Sequence, residues 1–142
     1  MEANRFRFRA WHKEDKKMGK VACVHTGERP GFIRATVIFK RSERSTEYRD
    51  IMFENCVLMQ STGLVDSQGT EIFESDILKL DEDIWPDIPE HFVVTYNPDK
   101  SALGVVQGTD TIIQDITNPS CPANNWLVVG NIYEHKHLLS GK

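Results

Sequence analysis

No stretch of this chain sustains the three-and-four spacing of apolar residues that an amphipathic helix needs. Short β-branched and aromatic runs recur instead, with turn residues between them about every 8–12 positions. That punctuation restricts the fold to a β-rich body of many short strands. Arg5–Trp11, RFRFRAW, alternates strictly, so Phe6, Phe8 and Ala10 are expected on one face and Arg5, Arg7, Arg9 and Trp11 on the other. Glu14–Gly19 reads as a polar turn and Val21–His25 as a short second strand, making a hairpin. Thr26–Gly31, with Gly27, Pro30 and Gly31, reads as a loop, and Phe32–Lys40, FIRATVIFK, as a third strand. Arg41–Arg49 is the most polar stretch and is expected to be a mobile loop or a short helix.

Further along, Asp50–Met59 keeps no clean period and fits either an irregular strand or a short helical turn. Asp66-Ser67-Gln68-Gly69 has the residues of a type I turn, with Gly69 free to take positive φ. Glu71–Leu80 is expected to return as one strand, with Ile72, Ile77 and Leu80 in the core. Asp81–Glu90 is an acidic, proline-containing loop, and His91–Tyr96 a strand. Further strands are expected at Val105–Gln107 and Thr111–Ile116. Pro119 and Pro122 interrupt the pattern before a strong last strand, Trp126–Ile132, and a helical turn at Glu134–Leu139. The predicted fold class is mainly β: a small SH3-like barrel in the second half, with an N-terminal β-hairpin region packed on it. At 142 residues the chain is read as one domain, with a subdivision into 1–57 and 58–142.

Three blocks in this order resemble the YopX-like proteins, a family found in bacteriophages and prophages. They are Phe8–Met18 (FRAWHKEDKKM), Leu58–Lys79 (LMQSTGLVDSQGTEIFESDILK) and Val128–Leu139 (VVGNIYEHKHLL). The resemblance spans residues 8 to 139 and implies a structural role for Gly63, Gly69, Glu74, Asp76, Gly130, Asn131 and Tyr133. It implies no biochemical activity. Two positions depart from the family pattern. Ser75 stands where glycine is usual, so a positive φ there would have to be borne by a residue with a Cβ. Ser61 stands where tyrosine is usual.

The absence of any apolar run approaching ~20 residues argues against a membrane span, and the first residues, MEANRFRFRAWHK, lack a secretory signal's apolar centre. Cys23, Cys56 and Cys121 are odd in number and widely spaced, which suits reduced thiols. The expected compartment is the cytoplasm. Charge is uneven: residues 1–50 carry 13 Lys+Arg against 7 Asp+Glu, net +6, and residues 51–142 carry 4 against 14, net −10. Such halves can attract each other within or between subunits, or the basic half can offer a nucleic-acid-binding face.

Candidate chemistry is sparse. Glu74 and Asp76 would share one side of a strand, as a divalent-metal or acid/base pair needs; the competing reading is an aspartate that accepts backbone N–H groups and fixes the turn. His135 and His137 form an H-x-H pair beside Glu134 that could bind metal, or simply a solvated chain end. Cys23 and His25 stand two apart on a strand, a nucleophile-and-base spacing, but the sequence shows no orienting third residue. Phosphate-cradling and hydrolase motifs are absent from the sequence. Arg5, Arg7, Arg9 and Lys13 beside Trp11 combine cations with a stacking ring, the equipment for single-stranded nucleic acid; the alternative is a core tryptophan with arginines paired to acids. The leading functional expectation is a non-enzymatic interaction or assembly protein without cofactors. Its expected partners are copies of itself and an unidentified phage or host protein. Nucleic-acid binding through the basic face ranks second, and a metal-dependent enzyme using Glu74 and Asp76 last.

Overall fold

The computed structural model describes residues 7–27, 33–97, 102–106, 112–115 and 122–139. They are mainly β, and every strand pairing is antiparallel. The only helical segments among the described residues are three single 3₁₀ turns, at Phe53–Asn55, Ala123–Asn125 and Lys136–Leu138. None is long and apolar enough to cross a membrane. The chain divides into two compact units, Phe6–Gln60 and Ser61–Lys142.

The first unit holds β1 (Phe8–His12), β2 (Lys17–Thr26), β3 (Ile33–Ser42), β4 (Ser45–Met52) and the opening half of β5 (Cys56–Val65), in the order β4-β3-β2-β1-β5. Period-two burial defines its core: Ala35, Val37 and Phe39 alternate on β3 and join Ala10, Ile51 and Cys56. Several expectations are corrected here. Arg5 and Phe6 lie outside the described residues, and His12, not read as a core residue, is buried alongside Ala10. The polar turn is shorter than expected, because β2 already begins at Lys17, and its ten residues carry a register shift between Val21 and Cys23. The Thr26–Gly31 loop falls mostly outside the described residues.

Arg41–Arg49 is neither a loop nor a helix. It holds the tight β3–β4 hairpin, with Ser42 opposite Ser45, and most of β4. Its polarity is that of a half-solvated strand. Arg49 lies opposite Val37, extends its guanidinium over the Phe39 ring at 5.8 Å and bonds Asp15 at 2.5 Å. Asp50–Met59 resolves its ambiguity by being both things: the end of β4, one 3₁₀ turn, then β5.

In the second unit the rest of β5 pairs with β6 (Glu71–Phe73). β7 (Asp76–Leu80), β8 (His91–Asn97), β9 (Ala102–Val106), β10 (Ile112–Asp115) and β11 (Trp126–Asn131) form a five-stranded sheet in the order β10-β9-β8-β7-β11. Ile72, Leu78, Leu80, Phe92, Val94, Val105, Ala123 and Trp126 make its core. Phe92 meets Trp126 edge-to-face, ring centres 5.0 Å apart, a geometry that contributes about 0.5–1.5 kcal/mol beyond the area it buries. The predicted single strand Glu71–Leu80 is broken after Phe73. Residues 74 and 75 form a turn in which Ser75 has φ +70°.

Candidate functional site

The hairpin at residues 66–69 is a clasp built around one buried carboxylate. Gly69 donates its N–H to the Asp66 carbonyl at 3.1 Å and holds φ +84°, a conformation glycine takes without steric cost. The Asp66 side chain does more than open the turn. Its Oδ1 accepts the N–H groups of Gln68 (2.9 Å) and Thr70 (2.8 Å), and its Oδ2 accepts that of Val128 on β11 (2.9 Å). Sequence reasoning missed the last contact, which lies 62 residues away. Ser61, in place of a tyrosine, is buried; its hydroxyl donates to Glu71 Oε2 at 2.6 Å and accepts the N–H of Gly63, whose φ is +79°. Thr62 donates to the Ile72 carbonyl at 2.8 Å. These polar atoms serve the hairpin itself.

Glu74 and Asp76 do not converge on one strand face. Glu74 sits in the turn, Ser75 reverses the backbone, and Asp76 opens β7. Asp76 is buried, and its Oδ2 accepts the Phe73 N–H at 2.7 Å, tying the end of β6 to the start of β7. This is the turn-fixing role weighed against metal binding. Among the described residues, no group of three His, Cys, Asp or Glu side chains is placed to hold a metal ion.

The closing block is equally structural. Asn131 is buried, and its Oδ1 accepts the N–H groups of Tyr133 (3.0 Å) and Glu134 (2.8 Å) while its Nδ2 donates to Glu134 Oε1 (2.9 Å). That capping starts the terminal turn. His135 is not a free solvated ring: its Nδ1 accepts the Asn131 N–H at 3.2 Å. The ring lies so close to Gly130 that a Cβ there would fall 2.6 Å from it. His137 stands with its ring centre 6.2 Å from that of His135.

The basic face is only partly assembled. Arg9 and Trp11 share the side of β1 opposite Ala10 and His12, both half-buried, and Arg7 is exposed just before the strand. Lys13 lies beyond the end of β1, and its Nζ donates to the Glu54 carbonyl at 3.1 Å. Arg7, Arg9 and Trp11 all have interaction partners within the chain.

The surface that sequence reasoning missed is β4. It ends the sheet order of the first unit: one of its sides is bonded to β3, and among the described residues no strand pairs with the other. It spans eight residues without proline or lysine, the residues that commonly guard such edges. Tyr48 projects from it 66% exposed. On the opposite side of the strand, Glu47 and Arg49 flank that position.

Comparison with known proteins places these observations. The structure is similar to the crystal structure of protein EF1440 from Enterococcus faecalis, with 26% sequence identity, a TM-score of 0.59 and coverage of 94% of this chain and 96% of that one. No curated protein matches the chain. The family model described as "YopX protein" matches residues 7–140, which takes in the first-unit sheet, the Asp66 clasp and the Asn131 cap. The chain therefore belongs to the YopX family.

Proposed function

We propose that this YopX protein is a non-enzymatic, cofactor-free interaction protein that works as a homo-oligomer, with β4 as the surface that meets a second copy. The observation that carries this reading is the self-complementarity of the β4 edge. Place a second β4 antiparallel to the first about a two-fold axis at Tyr48. Glu47 then faces Arg49 of the second copy and Arg49 faces its Glu47. Opposite charges directly across a ladder stabilise it by about 0.2–1 kcal/mol each. The two exposed Tyr48 rings meet at the axis, and the open backbone groups gain partners. An isologous contact of this kind uses one patch twice. The opposite net charges of residues 1–50 and 51–142 support further attraction between copies.

Residues 58–142 are read as an SH3-like small barrel, supported by a strand, β11, that follows a 3₁₀ turn and returns to pair with β7, the earliest strand of the five-stranded sheet. Fold alone assigns no activity. We place the protein in the cytoplasm, in keeping with the free thiols of Cys23 and Cys56, with an unidentified phage or host protein as its further partner. Nucleic-acid binding by Arg5–Lys13 draws less support, because Lys13 is committed to Glu54 and Trp11 is half-buried.

Size-exclusion chromatography with light scattering tests the assignment. The wild-type chain is expected to run as an oligomer, while Tyr48→Lys and Glu47→Arg, which set like charges across the axis, dissociate it. A wild-type monomer at high micromolar concentration and low salt overturns it.

A further inference from the structure

The solvent-facing side of β2, β3 and β4 carries a chain of side chains that self-association does not use. Cys23 and His25, two apart on β2, project to the same side. The sheet register then sets Thr36 opposite Cys23 and Asp50 opposite Thr36. The contacts run in series: Cys23 Sγ to His25 Nε2 at 3.2 Å, His25 Nε2 to Thr36 Oγ1 at 2.9 Å, and Thr36 Oγ1 to Asp50 Oδ1 at 2.6 Å. Arg34, opposite His25 in the register, lies 3.6 Å from Asp50 Oδ2. Thr36 and Asp50, from two other strands, therefore hold the ring nitrogen that the sulfur touches.

Proton counting fixes the polarity of this chain. A carboxylate can only accept, so the single hydroxyl proton of Thr36 goes to Asp50. The Thr36 oxygen then turns a lone pair toward His25, and Nε2 must carry a hydrogen. The Cys23 sulfur lies against the same nitrogen, so its one N–H is shared between the Thr36 oxygen and the sulfur. An exposed sulfur beside a ring nitrogen whose position is fixed by the Thr36–Asp50 pair is the setting of a nucleophilic cysteine. Cys56 is the internal contrast: it is buried, and burial pushes its thiol above the usual range.

We propose that Cys23 is a nucleophilic modification site that exchanges with low-molecular-weight disulfides, with His25 as its positioning residue. In the exchange the Cys23 thiolate attacks one sulfur of the disulfide. The old S–S bond breaks as the new one to Cys23 forms. The departing thiolate takes the bonding pair and the proton that Cys23 gave up. Cys23 is oxidised and the released thiol is the reduced product, so no further oxidant is needed. The inference stands whether or not β4 pairs with a second copy.

The test is incubation of the folded full-length chain with oxidised glutathione at neutral pH, with the adduct located by peptide mass mapping. One glutathionyl group on Cys23 is expected, forming about tenfold faster than on Cys23 of His25→Ala. Thr36→Val should slow it as well, and Thr36→Ser, which keeps the hydroxyl, should restore the rate. Circular dichroism confirms folding of each variant; if His25→Ala does not fold, the Val/Ser pair at Thr36 decides the matter. Equal rates in wild type and these variants, or labelling of Cys56 or Cys121 ahead of Cys23, overturns the proposal.

Discussion

Replacing Ser75 by glycine should make this protein more stable. Ser75 holds φ +70°, a left-handed conformation in which its Cβ crowds the following carbonyl. The backbone is held there from two sides. The Ser75 N–H donates to the Val94 carbonyl at 2.8 Å, and the Ser75 carbonyl accepts the Ile132 N–H at 3.0 Å. Relaxing φ would break a bond to β8 or to the residue after β11, so the strain persists. A Cβ in this region costs about 1–2 kcal/mol. Glycine removes that cost but gives the unfolded chain more freedom, which opposes the gain by about 0.4–1 kcal/mol. The net expectation is about 0.8 kcal/mol, or a rise in Tm of about 2–3 °C for a chain of this size. Thermal unfolding followed by circular dichroism reads it. Ser75→Ala is the control: it keeps the Cβ and the strain, so its Tm should stay at or slightly below wild type. A Ser75→Gly variant no more stable than Ser75→Ala would refute the strain argument.

Asp66→Ala strips acceptors from the Gln68, Thr70 and Val128 N–H groups and should cost about 3 kcal/mol in urea unfolding, since bonds to an ionised group are the stronger kind. A loss below about 1 kcal/mol would mean that water replaces the carboxylate. Gly130→Ala drives a Cβ into the His135 ring and should cost about 1–3 kcal/mol, part of it recovered in the Gly130→Ala/His135→Ala double variant; strict additivity of the two changes would contradict the clash. The Asp15 carboxyl is held below its usual range, first by its hydrogen bond from Arg49 and further by the charges of Arg49, His12 and Lys17. A depressed carboxyl stabilises the fold above its unfolded-state value and loses that effect as pH falls through its folded-state value. Wild type and Arg49→Ala should therefore differ most near neutrality and converge as pH falls below the ordinary aspartate value of 3.8; a gap that widens in acid would reverse the assignment.

What the sequence reveals here depends on how far apart the interacting groups stand. The Asp66–Gly69 turn and the role of Asp76 are legible because each is decided within four residues. β4 is not legible. One of its faces is solvated and the other places Arg49 on Phe39, so its composition resembles a loop although its register with β3 runs from Arg34 to Ser42. Cys23 and His25 are visible as a pair, yet Thr36 and Asp50 reach them only through strand register and a local shift at Val21–Cys23. Glu74 and Asp76 mislead for the converse reason. Their spacing suggests one strand face, and a single residue with positive φ between them removes it.

The Asp66 clasp has a consequence for how the chain is made. Its nearer two donors leave the ribosome almost with it, but the third follows 62 residues later, about 3–12 s at ordinary elongation rates. Until then the carboxylate cannot sit in its final, water-poor position with all its bonds made. The bend can form early, but it locks only once β11 has emerged. Translation halted shortly before Val128 would thus release a product whose central turn is unfastened, a natural mark for cellular quality control.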